Sequence, residues 1–64
     1  MHDLSSLQTI LFKEIKSKLP ENISLVHEIS EFMGLSYDST YRRIRGEKLV
    51  SLDEVYKLCT RYSI

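Results

Sequence analysis

In the middle of the chain, the run Phe32-Met33-Gly34-Leu35-Ser36 sets a helix terminator two residues ahead of a helix initiator. Glycine takes the left-handed conformation after a helix end at the least cost, and serine is among the strongest N-caps. Two helices joined by so short a glycine-containing turn cross steeply, at roughly 90–120°, so the second projects from the surface. The feature limits the fold to a small helical domain with one protruding helix.

The flanking sequence predicts the remaining elements. Leu4, Leu7, Leu11, Ile15 and Leu19 recur at three- and four-residue intervals, which makes them one stripe of a helix from about residue 4 to 18, capped by Asp3 and stopped before Pro20. A second helix opens at Ser24 and runs to Met33, with Leu25, Ile29, Phe32 and Met33 inward. A third follows Ser36, carries Asp38 in its first turn where an acid suits the helix dipole, and closes at Gly46. After the loop Glu47 to Val50, Ser51 and Glu54 form a capping box that starts a fourth helix with Leu52, Val55, Cys59 and Tyr62 inward. The expected fold is all-α, a compact bundle of about four short helices. No strand pattern competes, and residues 1–64 read as one domain, consistent with the N-terminal part of a longer regulator.

Composition removes most other classes. At 64 residues with 42% hydrophobic and 28% charged side chains, the chain suits one small packed domain with no room for a substrate cleft between lobes. The lone Cys59 excludes an internal disulfide and a multi-cysteine zinc site, and it reads as a buried structural thiol. His2 and His27 have no partners at metal-ligand spacing, so neither a metal nor another cofactor is expected. No nucleophile, base and oxyanion site can be assembled, so the chain reads as non-enzymatic. Without a membrane span or a signal peptide, the expected location is the cytoplasm.

Net charge is zero, yet it is unevenly spread. Residues 1–31 hold five acids against three lysines, and residues 32–64 hold six bases against four acids. Arg42, Arg43 and Arg45 fall within four positions, with Lys48 just beyond. At about 100° per residue, Tyr37, Thr40, Tyr41 and Ile44 cluster on one side of the third helix, while Ser39, Arg42, Arg43 and Gly46 point away. That second face is small and polar near its start and basic further along, which suits base edges and phosphates in a major groove.

The stretch from residue 24 to 62 resembles the Cro/XRE-type helix-turn-helix family of bacterial and phage regulators. The likeness is strongest in E-I-S-E-F-M-G-L-S, residues 28–36, where the family's apolar, small, apolar, glycine, apolar and serine positions fall on Ile29, Ser30, Phe32 with Met33, Gly34, Leu35 and Ser36. R-I-R-G-E-K and S-L-D-E-V-Y-K-L-C look like the family's arginine-rich helix end, loop and fourth helix. Tyr41 and Ile44 sit one position late for the family, so either the turn is a residue longer or Thr40 takes the first inward slot. The resemblance implies a phage-repressor-like bundle that binds double-stranded DNA in the major groove, with Ser36, Tyr37, Ser39, Thr40, Arg42, Arg43, Arg45 and Lys48 as candidate contacts. It also implies a transcriptional regulator that is a homodimer in its full-length form, with no membrane partner. The competing reading is a protein-interaction module on the same scaffold, using the surface of Tyr37, Phe12 or Tyr56. What separates the two is whether Arg42, Arg43, Arg45 and Lys48 form one positive surface uninterrupted by Asp38 and Glu47.

Overall fold

A computed structural model describes residues 4–64, and among them every regular element is helical: α1 Leu4–Ser17, α2 Leu25–Met33, α3 Tyr37–Ile44 and α4 Leu52–Tyr62. The proposed Asp3 cap lies outside the described residues. Three of the other expected caps are present. Ser24, Ser36 and Ser51 have extended backbones, and their hydroxyls accept from the N–H groups of His27, Ser39 and Glu54. Glu54 returns the favour by accepting from the Ser51 N–H at 3.0 Å, which completes the capping box.

Gly34 ends α2 in the left-handed region at φ 68° and ψ 35°, and Leu35 N–H closes back on the Ser30 carbonyl at 3.1 Å. A Cβ built on Gly34 meets nothing within 4 Å, so its cost is backbone strain alone. Gly34→Val is therefore expected to destabilise the domain by about 1–2 kcal/mol or somewhat more, because β-branching worsens a left-handed backbone, while Gly34→Asn costs little. Urea denaturation of both variants checks this; equal midpoints would mean that the turn does not depend on the left-handed residue.

Phe12 and Ile15 from α1, Ile29 from α2 and Leu58 from α4 form the buried core, with Leu11, Leu25, Met33, Ile44, Val50 and Tyr62 packed around it. This shifts the inward faces from those expected. In α1 the buried line is Gln8, Phe12 and Ile15, while Leu4 and Leu7 are exposed. Phe12 therefore offers no surface to a partner protein. In α4 the buried residue is Leu58, and Leu52, expected inward, is 85% exposed. Each of these helices turns a polar residue into a junction at the end of α3: Gln8 of α1 bonds the carbonyls of Arg43 and Lys48, and Glu54 of α4 bonds the Arg43 guanidinium.

Gln8 is the centre of that junction. Its Nε2 donates to the carbonyls of Arg43 (2.5 Å) and Lys48 (2.8 Å), and its Oε1 accepts from the Val50 N–H at 2.8 Å. One buried amide thus ties α1 to the end of α3 and to the loop before α4. A buried polar group is tolerated when its donors and acceptors are all met, as they are here.

Candidate nucleic-acid interface

The turn at Gly34 places α3 with its N-terminus at the surface and its inner edge on α2. The phase of α3 is set by polar groups. Thr40 is fully buried: its Oγ1 donates to the Ser36 carbonyl at 2.9 Å and accepts from the Ser30 hydroxyl at 2.8 Å. Thr40 therefore fills the first inward slot, which resolves the alternative that the spacing left open and removes Thr40 from the candidate contacts. Tyr41, expected inward, is about half exposed, since with Thr40 fixed inward by the Ser30 hydroxyl the next residue turns about 100° further round the helix.

The same rotation corrects Arg43. It was expected on the outward face, yet the residue is only 7% exposed. Its guanidinium donates to both carboxylate oxygens of Glu54, from Nε at 3.3 Å and Nη2 at 3.2 Å, and from Nη1 to the Ser39 carbonyl at 3.0 Å. A planar fork matched to a carboxylate at a half-dry helix junction is where arginine outperforms lysine. Partial burial by itself pushes the Glu54 carboxyl up, but the Ser51 N–H, the Arg43 guanidinium and the charge of Lys48 outweigh it and hold the carboxyl below its ordinary value. Arg43 is a structural cation, committed to joining α3 and α4.

The outward face of α3 consists of Tyr37, Asp38, Tyr41 and Arg42. Tyr37 is 52% exposed, and its hydroxyl meets Nδ1 of His27 on α2, with the rings edge to face at 6.0 Å. The far nitrogen of His27, Nε2, lies 3.7 Å from Glu31. The phenol at the start of α3 is thus steadied from α2 while one side stays open. Ser36 and Ser39 flank it; the Ser36 hydroxyl is occupied as the cap, and Ser39 is half-buried with its carbonyl held by Arg43.

Basic groups on this side come with acids. Arg42 Nε lies 3.4 Å from the Asp38 carboxylate one turn earlier, both side chains being exposed. Arg45 donates through Nε at 2.8 Å and again through Nη2 to Glu47. Arg42, Arg45 and Lys48 are exposed and Arg43 is not, so the expected four-cation surface is a set of three, interrupted by Asp38 and Glu47. Exposed pairs of this kind are weak, median about 0–1 kcal/mol, and a phosphate can replace either acid at small cost.

Two residues that sequence reasoning did not single out for these roles position this face: Gln8, which holds the end of α3, and Glu54, which had been assigned only its capping role. Gln8 was detectable as the one polar residue in phase with Phe12 and Ile15, at four and seven positions. Among the described residues no group of three or more His, Cys, Asp and Glu side chains could hold a metal ion, and no helix is long and apolar enough to cross a membrane. Comparison of the chain with protein-family models, with curated proteins and with solved structures finds no match.

Proposed function

We propose that this chain is a sequence-specific DNA-binding domain of the Cro/XRE helix-turn-helix type, a bacterial transcriptional regulator that presents α3 to the major groove and acts in the cytoplasm without catalysing a reaction. The observation that carries the reading is the pairing of a glycine-closed α2 with an N-capped α3 whose outer face, Tyr37, Asp38, Tyr41 and Arg42, is left open by the core. A capped helix held at one edge and free on the other is the shape a major groove admits. Ser36 and Ser39 stand at the end that meets bases or phosphates first, Arg42 is the base-reading candidate, and Arg45 with Lys48 flank it as phosphate contacts. One copy makes few contacts, so two copies on a two-fold site supply the specificity.

A second reading, a protein-interaction module, draws on a particular observation: the cations are interrupted by acids, and Tyr37 and Tyr41 are the largest groups on the face. Fluorescence anisotropy with labelled duplexes over a range of salt separates the two. With Arg42, Arg45 and Lys48 available, log affinity per copy is expected to fall against log salt with a slope of about −2.7. Arg42→Ala should weaken binding to an enriched sequence by about 1–3 kcal/mol with little change in melting temperature, since the side chain is exposed and paired only with exposed Asp38. No salt-dependent binding to any duplex decides for the protein-interaction reading, and full affinity in Arg42→Ala removes Arg42 from base reading.

A further inference from the structure

A groove of about 360 Å³ runs between α1 and the start of α4, lined by Leu4, Leu7, Leu11, Val50, Leu52 and Val55, with Leu49 at its edge. Its one polar lining residue, Gln8, has its amide turned to the Arg43 and Lys48 carbonyls and the Val50 N–H, so it has little to offer a polar ligand. Among the described residues no charged side chain lines the groove. The apolar surface extends past it on both sides. Ile10 continues Leu7 one turn along α1, Tyr56 continues Leu52 along α4, and Leu4, Leu7, Ile10, Leu49, Leu52 and Tyr56 are each at least half exposed.

We propose that this face is the self-association surface of the chain, closed by a second copy about a two-fold axis. Area is the first argument. Counting about 100 Å² of open surface for each, roughly half of what a large side chain presents, the six offer about 600 Å². Homodimer interfaces are about 65% apolar, which turns that figure into about 900 Å² per protomer, against about 800 Å² for a stable interface of standard size.

Self-complementarity is the second argument. A two-fold interface sets one patch against itself, so a patch rich in one charge repels its own copy and a patch with no charge does not. Among the described residues this patch has no charged lining, and it carries a hollow beside its most exposed side chain, Leu52, so each copy can seat its Leu52 in the other's groove. The nearest α4 charges, Asp53 and Lys57, already pair with each other at 3.4 Å. The outer face of α3 takes no part in this patch and stays free. The proposal deepens the two-copy part of the DNA reading and rests on that reading only for its use; its test contains no DNA, so the two can fail separately.

Sedimentation equilibrium of the 64-residue chain, from low micromolar to near millimolar concentration, tests it. The parent chain is expected to show a reversible monomer–dimer equilibrium. Leu52→Glu, an acid in the first turn of α4 where the helix dipole favours it, should keep the helical circular dichroism and weaken association more than about tenfold. Leu49→Ser, in the loop outside any helix, should weaken it in the same direction and covers the case in which Leu52→Glu does not fold. A parent chain that stays monomeric throughout overturns the proposal and leaves the groove to a different protein; a dimer unchanged in both variants overturns it by placing the contact elsewhere.

Discussion

Arg43→Met is expected to destabilise the domain by about 3 kcal/mol, the lower end of the range for breaking one side of a buried ion pair. The lower end applies because the Glu54 side chain is 18% exposed against 9% for Arg43, so the abandoned carboxylate keeps some contact with water. A domain of this size has roughly 3–10 kcal/mol in total, so the melting temperature should fall by more than about 10 °C. Adding Glu54→Gln should restore much of the loss, since glutamine keeps the capping box and removes the stranded charge. The pH dependence has a defined sign. The Glu54 carboxyl sits below its ordinary 4.5 in the folded chain, so its contribution is complete above that value and is lost as pH falls through the lowered one. Thermal melts of parent and Arg43→Met should converge over that acid range. Parallel profiles at all pH values would show that Arg43 acts through packing alone, and an unchanged melting temperature would show that it is not committed to the α3–α4 junction.

The second large effect is expected at Gln8. Gln8→Ala leaves the carbonyls of Arg43 and Lys48 and the N–H of Val50 without their side-chain partner at once. The Arg43 carbonyl keeps the Gly46 N–H as a partner at 3.1 Å, so two groups are orphaned; at about 1–3 kcal/mol each in a dry site, and with part of the site open to water, the total is expected at about 2–4 kcal/mol. Gln8→Glu is the sharper probe. It preserves shape and the bond to Val50, but sets a carboxylate oxygen against two carbonyl oxygens. The folded state then favours the protonated acid, which donates to one of them, so Gln8→Glu should gain stability relative to the parent as pH falls. Urea midpoints at neutral and mildly acidic pH measure the difference. A Gln8→Glu variant as stable as the parent at neutral pH would show that the amide hydrogen bonds do not hold the junction.

Both predictions concern residues whose roles could be read from the sequence only in part. Local signals were legible. Gly34 and the caps at Ser24, Ser36 and Ser51 act through atoms a few residues away, so residue type and spacing are enough to place them. The rotation of each helix about its axis was not legible in the same way. On α1 six apolar residues, Leu4, Leu7, Ile10, Leu11, Phe12 and Ile15, compete for the inward face and only Phe12 and Ile15 are buried, and an apolar stripe wider than one core contact does not say which part faces in. On α3 the tyrosines looked like core and the arginines like surface, because periodicity scores residue types and not partners.

The sequence by itself determined the helical class, the order and approximate ends of four helices, and the tight turn between α2 and α3, all of which follow from interactions within a turn or two of chain. Tertiary structure alone decided that Arg43 lies inside while Leu4, Leu7 and Leu52 lie outside, and it chose Thr40 over Tyr41 for the first inward slot of α3. Those choices depend on groups 10 to 42 positions apart, Ser30 with Thr40, Arg43 with Glu54 and Gln8 with Val50. A buried polar side chain is stable only when such a distant partner arrives in the right place, and the candidate surface of α3 is what remains after those partners have been satisfied.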